Sequence, residues 1–287
     1  MLKKALGAAV VAAATLGVYW CLAADYDSEA LLRHLRDAYR IPAAAELKIQ
    51  NFRPSDIAGL KKADLVISFK GKRQSETLWL TPDGRRYFLG EFQDSSMDPY
   101  QQRMNKISLS DAPIRGNKNA PVTLVEYTDL QCVFCARGYE IMSREVMTKY
   151  GDQVRWIYKA LPITGIHPWA EPAAMALECV KRQGHDRFWK MHDLIFDNQK
   201  AITVRNLDEK LDEFAKSSGA DLDKFKPCYD SQETLDNVRR DAAEAEALGI
   251  QSTPNFIING RLVAGADGDA IKSAIEEILR GDHAGKR

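Results

Sequence analysis

The chain has 287 residues, of which 40 are basic and 40 are acidic, and its formal net charge is zero. Because the charges balance, no overall field favours binding to nucleic acid, and no nucleic-acid partner is expected. The length is enough for one or two domains with a sizeable hydrophobic core.

Residues 1–24 have the pattern of an N-terminal export signal. Two lysines precede the run 5–24, which carries no charge and ends in small residues. A run of this length can also span a bilayer, so an uncleaved membrane anchor remains the alternative. Lipidation at Cys21 is disfavoured because bulky Trp20 precedes it. Each outcome places the rest of the chain in the periplasm or another extracytoplasmic space, where disulfides form and persist.

Residues 25–93 predict a small α+β domain. A helical pattern at 25–39 is followed by four strand-like runs, at 46–52, 63–70, 75–80 and 85–92. The turn signal Pro82-Asp83-Gly84 predicts a hairpin between the last two runs. A domain of this size is marginally stable alone, so its sheet is expected to pair with a second copy, which leaves a homodimer open.

Residues 94–120 are polar and predict a linker, with a short helix near 99–105. Residues 121–287 then predict a second domain. Its patterns run in the order strand, helix, strand, five helices, two strands and a final helix. This order predicts an α/β domain, in which a mixed sheet has helices on its faces.

Cys132 and Cys135 form a Cys-x-x-Cys pair where a predicted strand gives way to a predicted helix. The N-terminus of a helix stabilises an anion, so Cys132 is the expected nucleophile. Cys135 lies one turn further in and is suited to resolve a mixed disulfide. The alternatives are a structural bridge or half of a zinc site. The remaining candidates, Cys179 and Cys228, are single and 49 residues apart, unlike a zinc knuckle, so neither metal nor cofactor is expected.

Two further features lie where a redox site would need them. Glu126 is on the apolar strand six residues before Cys132, so its pKa should be raised by desolvation, and it could exchange a proton with Cys135. The alternative for Glu126 is an exposed carboxylate at a strand end. Thr253-Pro254 precedes another apolar strand, where a cis peptide would direct backbone polar groups towards the cysteines.

Several motifs together resemble the DsbA-like thiol:disulfide oxidoreductases over 107–279. They are Ala120 to Cys135, Lys159 to Pro162, His167 to Ala170, Phe188-Trp189 with His192-Asp193, and Gly249 to Gly260. The resemblance implies a thioredoxin fold with a helical insertion. It also implies that Cys132 is nucleophilic, that Cys135 resolves, that Glu126 is the acidic residue and that Thr253 precedes a cis Pro254.

The residues between the cysteines depart from the strongly oxidising members of this family, which carry Pro and His there. Val133 and Phe134 occupy these positions, and Phe134 cannot hydrogen-bond a thiolate. The pKa of Cys132 is therefore expected to lie above that of a Cys-Pro-His-Cys site, which predicts a weaker oxidant. Residues 25–93 resemble, more weakly, the dimerisation domain of periplasmic disulfide isomerases.

Cys179 and Cys228 fall on predicted helices of the insertion. In an oxidising compartment they are expected to form a structural disulfide; the alternative is two buried thiols that pack as small apolar groups. His167 and His192 are expected to pack or to cap helices rather than to bind metal.

These observations predict an extracytoplasmic enzyme that exchanges disulfides with protein substrates carrying thiols or disulfides. A redox partner, expected to be membrane-bound, would reset the cysteines. Oxidase, isomerase and reductase remain open. The alternative function is a chaperone-like binding protein in which the disulfide is incidental, and a structural metal module is disfavoured by ligand count.

Overall fold

The computed structural model describes residues 27–92 and 94–281, so the predicted signal or anchor at 1–24 lies outside the described residues. The chain divides into two compact units, one ending at Asp94 and the other beginning at Ser95. Each unit has its own hydrophobic core.

The first unit consists of one helix and an antiparallel meander. Helix α1 (Ser28–Ala38) is followed by strands in the order β1-β2-β3-β4, with bounds Glu46–Pro54, Lys61–Phe69, Lys72–Leu80 and Tyr87–Leu89. Asp27 caps α1 by accepting a hydrogen bond from the backbone N–H of Ala30. The core forms where α1 places Leu31 and Leu35 against leucines of β2 and β3.

The second unit is built on a five-stranded mixed sheet in the order β5-β7-β6-β8-β9. The strands are Ile114–Gly116 (β5), Val122–Thr128 (β6), Val154–Ala160 (β7), Asn255–Ile258 (β8) and Arg261–Ala264 (β9). The central strand β6 is parallel to β7 and antiparallel to β8, and all of its residues are buried. Both faces of this strand are therefore covered by other elements.

The second unit also contains helices α2–α10. Their bounds are Pro99–Asn105 (α2), Val133–Glu140 (α3), Met147–Tyr150 (α4), Ala170–Lys181 (α5), His185–Asp197 (α6), Leu207–Ser218 (α7), Leu222–Asp230 (α8), Leu235–Ala247 (α9) and Gly268–Leu279 (α10). A π-helical segment, Ile141–Val146, joins α3 to α4. Helices α5–α9 form an insertion between β7 and β8, and a disulfide joins Cys179 of α5 to Cys228 of α8. This arrangement confirms the predicted α/β class with a helical insertion.

The segment 94–120 differs from the predicted linker, because it forms part of the second unit. It contains α2 and β5, and β5 pairs with β7. Ile107 and Ala112 are buried in the core on one face of the sheet. These apolar residues are scattered among polar ones, so the polar composition of the segment predicted a linker although the segment packs on the sheet.

Candidate active site

Cys132 and Cys135 lie at the start of α3, beyond the end of β6. Cys132 has extended backbone angles and occupies the N-cap position, and its carbonyl accepts hydrogen bonds from the backbone N–H groups of Cys135 and Ala136 at 3.0 and 3.1 Å. Both cysteines are free thiols. Cys132 retains 6% of its surface exposed, whereas Cys135 has none. Cys132 is therefore the more exposed of the two residues.

The surroundings of Cys132 favour its thiolate. Its pKa is lowered to about 5, first by a hydrogen bond from the Cys135 thiol and then by the Thr253 side chain and the backbone N–H groups at the start of α3, although partial burial opposes this. The Cys132 sulfur lies 3.8 Å from the carbonyl oxygen of Thr253. A thiolate here is abundant at neutral pH and ready to attack a disulfide.

Cys135 has the opposite environment. Burial raises the pKa of its thiol, and the hydrogen bond that it gives to Cys132 adds to the effect. The backbone N–H of Asp129 donates to the Cys135 sulfur at 3.3 Å. The environments of the two thiols therefore favour different states: that of Cys132 favours the thiolate, and that of Cys135 favours the protonated thiol.

Glu126 lies on β6 with only 1% of its surface exposed. Burial raises the pKa of its carboxyl group to about 7, against the smaller opposing effects of Thr128, the Trp156 indole and the positive charge of Arg115. The indole Nε1 of Trp156 donates to Oε2 at 2.8 Å. Glu126 is thus a buried carboxyl rather than an exposed strand end, and it can change its protonation state near neutral pH.

Thr253 and Pro254 lie across from the cysteines, immediately before β8. The peptide bond between them is cis. The carbonyl of Thr253 faces Cys132, and the carbonyl of Pro254 accepts a hydrogen bond from the backbone N–H of Gly265 at 2.9 Å. The structure therefore brings together all five residues singled out from the sequence, namely Cys132, Cys135, Glu126, Thr253 and Pro254.

Gly138, one turn after Cys135, was not identified from the sequence. A Cβ atom on this residue would lie 3.3 Å from the Pro254 ring, 3.3 Å from the Phe256 ring and 3.6 Å from Oε1 of Glu126. The missing side chain lets α3 approach the strands that carry the other site residues. The available signal was a glycine inside a helix, where it costs about 1 kcal/mol relative to alanine.

Asp129 was also missed. Its carboxylate is fully buried and accepts four hydrogen bonds. Oδ1 accepts from the backbone N–H groups of Gln131 and Cys132 at 2.7 and 3.1 Å. Oδ2 accepts from the backbone N–H of Ile163 at 2.7 Å and lies 2.8 Å from Nδ1 of His167. One carboxylate therefore fixes the loop before Cys132 and attaches to it the loop that follows β7.

Gln199 contacts the same loop from the helical insertion. Its side-chain amide donates to the carbonyl of Leu130 at 2.9 Å and to that of Cys132 at 3.0 Å. Gln199 is 67 residues from Cys132 in the sequence, so no local pattern could have connected the two residues.

The other histidine considered, His192, is fully buried, and Nδ1 of its ring lies 3.1 Å from the carboxylate of Asp193.

Within the residues that the structure describes, no group of three or more His, Cys, Asp or Glu side chains could hold a metal ion. Over the same residues, no helix has both the length and the apolar character needed to cross a bilayer.

A thioredoxin family model matches residues 109–277, which is more than half of the chain, and the chain belongs to this family. Its fold is similar to that of BdbD from Bacillus subtilis, with a TM-score of 0.54, 27% identity, and coverage of 61% of this chain and 96% of that one. The thiol-disulfide exchange protein alpha-DsbA2 from Wolbachia pipientis gives a TM-score of 0.54 at 21% identity, with 63% and 94% covered. These matches confirm the predicted thioredoxin fold and the predicted resemblance to DsbA-like proteins.

Curated relatives of another description also match. A Na⁺/H⁺ antiporter, NhaA 3 of Salinispora tropica, is 34% identical over 148 residues, which cover 52% of this chain and 22% of that protein. The chain thus spans less than a quarter of the length of this relative.

The likeness to the dimerisation domain of disulfide isomerases, expected for residues 25–93, stays a prediction.

Proposed function

We propose that the protein is an extracytoplasmic thiol:disulfide oxidoreductase that exchanges disulfides with protein substrates through Cys132 and Cys135. The observation that carries this proposal is the asymmetry of the two thiols. Cys132 has a pKa of about 5 and keeps 6% of its surface exposed, while Cys135 is completely enclosed one turn further into the helix. This combination provides a nucleophile and a resolving thiol within one helical turn.

In the reducing direction, the Cys132 thiolate attacks a substrate disulfide, and one substrate sulfur leaves as a thiolate. Cys135 then attacks the Cys132 sulfur of the mixed disulfide and releases the second substrate thiol. The reverse sequence transfers the disulfide to a reduced substrate. In that direction the stabilised thiolate of Cys132 is a good leaving group, because a lower pKa makes a thiol leave faster.

Exposed apolar side chains near the nucleophile support a protein substrate. Val133 and Phe134, between the cysteines, are 67% and 66% exposed, and Ile166 is 71% exposed. Ile166 belongs to the loop that Asp129 attaches to the cysteine loop through Ile163 and His167. Such a surface suits the apolar segments of an incompletely folded chain.

Reduced and scrambled ribonuclease test the activity and its direction. Oxidation of reduced ribonuclease without unscrambling defines an oxidase, and the reverse result defines an isomerase. We expect Cys132→Ala to abolish both activities, whereas exposed Ser252→Ala, outside the cysteine pair, retains them. Turnover by Cys132→Ala equal to that of the wild type would reject redox catalysis and favour a chaperone-like binding protein.

The export pattern at 1–24 and the Cys179–Cys228 disulfide support an extracytoplasmic location. Fractionation of cells tests this location, and sequencing of the mature N-terminus distinguishes cleavage from anchoring.

For the redox partner we propose a membrane protein. A Cys135→Ala variant should accumulate with that partner in a mixed disulfide in the membrane fraction, and its absence there would contradict the proposal.

We also propose that the first unit mediates formation of a homodimer. In the described part of the chain, no strand pairs with the outer edge of the nine-residue strand β1, and the side chains of Phe88 and Phe92 remain nearly half exposed. An open edge of this length and exposed aromatic rings are suited to pairing with a second copy. Sedimentation of the mature protein should give twice the chain mass at micromolar concentration, and a monomer throughout would exclude the dimer.

A further inference from the structure

The face of β6 that is turned towards α3 carries a second polar side chain besides Glu126. Residues two apart in a strand point to the same side, so Thr128 shares this face with Glu126 and Leu124. Tyr127, between them, packs in the core of the opposite face. Glu126 and Thr128 are each only 1% exposed, so their polar groups are enclosed together.

The thiol of Cys135 lies at the end of the same face. The backbone N–H of Asp129, the residue after Thr128, donates to the Cys135 sulfur at 3.3 Å. The backbone of Thr128 is held by the residue that follows β7, because its carbonyl accepts a hydrogen bond from the backbone N–H of Leu161 at 2.8 Å. Thr128 directly precedes Asp129, whose backbone nitrogen lies 3.3 Å from the Cys135 sulfur, and it shares a strand face with Glu126, so its side chain lies near both groups.

Within the described part of the chain, the Thr128 hydroxyl and the Glu126 carboxyl group each have an atom without a hydrogen-bond partner. Among the described residues, neither Oγ1 of Thr128 nor Oε1 of Glu126 forms an aligned hydrogen bond, although both atoms are buried. Oε2 of Glu126 is already occupied by the Trp156 indole. Buried polar atoms are normally paired, and an exception calls for a functional explanation. Here the open atoms are a hydroxyl that can both donate and accept and a carboxyl oxygen on the same strand face, next to a buried thiol.

We propose that the Thr128 hydroxyl relays a proton between Cys135 and Glu126 when the mixed disulfide is resolved. The inference rests on the thiol–disulfide exchange proposed above and adds a residue to it. The thiol of Cys135 gives its proton to Oγ1 of Thr128, and the hydroxyl proton of Thr128 passes to Oε1 of Glu126. The Cys135 sulfur then bonds to the Cys132 sulfur, the bond from Cys132 to the substrate sulfur breaks, and the substrate leaves as a thiolate.

Electrons balance within this step, because the cysteine pair is oxidised while the substrate disulfide is reduced. In the opposite direction Cys135 leaves as a thiolate and recovers its proton from Glu126 along the same path. The relay is needed because an enclosed thiol cannot release its proton directly to solvent, and proton transfer requires groups within hydrogen-bond reach.

Oxidised glutathione provides the test, since it forms a mixed disulfide with Cys132 that Cys135 must resolve. Acid quenching, alkylation and mass spectrometry give the second-order rate of formation and the first-order rate of resolution separately. We expect Thr128→Val to slow resolution by about tenfold to a hundredfold, in keeping with acid–base catalysis by a positioned group, and to leave formation within about twofold. Thr128→Ser, which keeps the hydroxyl, should restore resolution.

A double-mutant cycle distinguishes a relay from a packing role. Glu126→Gln should slow resolution to a similar extent, and adding Thr128→Val to it should change little, because both variants interrupt one path. Thr123→Val, a buried threonine on the other face of β6, is the matched control and should leave resolution unchanged. If Thr128→Val does not fold, Thr128→Ala serves for the same comparison.

Three results would each overturn the relay. The first is that Thr128→Val resolves the mixed disulfide within twofold of the wild-type rate, and the second is that Thr128→Ser is as slow as Thr128→Val. The third is that the losses of the two single variants multiply in the double variant. The proposed function fails in a different way: the wild-type protein would then form no mixed disulfide with glutathione at all.

Discussion

The indole N–H of Trp156 donates to the Glu126 carboxyl group at 2.8 Å, and both residues are almost completely buried. This bond partly offsets the cost of placing a carboxyl group in the core, but burial dominates and keeps the pKa near 7. Glu126 is therefore held close to its midpoint at neutral pH. Four consequences of this site can be measured.

The raised pKa of Glu126 makes stability depend on pH. In the unfolded chain the carboxyl ionises at its ordinary pKa of 4.5, whereas in the folded protein it retains its proton up to about pH 7. The contribution of Glu126 to the free energy of unfolding is therefore greatest below pH 4.5, and it is lost as pH rises through 7. A shift of this size corresponds to about 3 kcal/mol.

Urea unfolding of reduced wild-type protein and of Glu126→Gln between pH 4.5 and 8.5 measures this effect. We expect the free energy of unfolding of Glu126→Gln, relative to the wild type, to increase over that range. A constant difference between the two proteins would show that Glu126 has an ordinary pKa.

The pKa of the Cys132 thiol should depend on Cys135, whose thiol is its principal hydrogen-bond donor. The ultraviolet absorbance of the thiolate follows the titration of Cys132. We expect Cys135→Ala to raise the pKa of Cys132 above about 5, and Cys135→Ser, which keeps a donor, to raise it less. Equal values in the two variants would assign the stabilisation to the start of α3 instead.

The residues between the cysteines should limit the oxidising power of the pair. The side chain of Phe134 is two-thirds exposed and has no group that could hydrogen-bond the Cys132 thiolate. Replacing Val133 and Phe134 together by Pro and His should lower the pKa of Cys132 and raise the reduction potential, by about 30 mV for each 1.4 kcal/mol of added thiolate stabilisation. Equilibration with glutathione gives both potentials. A wild-type potential already equal to that of the double variant contradicts the expectation.

Gly138→Ala should destabilise the second unit, because the added methyl group meets the rings of Pro254 and Phe256 at 3.3 Å. Overpacking of this kind costs about 1–3 kcal/mol, measured by chemical unfolding. The matched control is Gly165→Ala, where no atom lies within 4 Å of the added group and a change within about 0.5 kcal/mol is expected. Equal effects at both positions would mean that α3 has room to move.

The sequence predicted those parts of the site that depend on local patterns. Cys132 and Cys135 are recognised by their spacing at a strand–helix junction, and Glu126 by its position on an apolar strand. Local periodicity also predicted that two strands and a final helix follow the five helices of the second domain. These features depend on neighbours a few positions away, which a single sequence displays directly.

The supporting residues could not be found in this way. Asp129 resembles an ordinary turn residue until Ile163 and His167 are placed beside it. The role of Gly138 depends on Pro254, more than a hundred residues away in the chain. Such contacts are created by the tertiary fold, and only a polar or small residue in an apolar segment hints at them.

The loop that carries Cys132 is held by two side chains from different sources. Asp129, within the loop, accepts from the N–H of Cys132, whereas Gln199, from the insertion, donates to its carbonyl. The two polar groups of the nucleophile's own backbone are thus divided between the thioredoxin core and the insertion. Transplanting the Cys-x-x-Cys segment into a bare thioredoxin scaffold would therefore transfer the sulfurs without half of their support, and the helical insertion would have to accompany them.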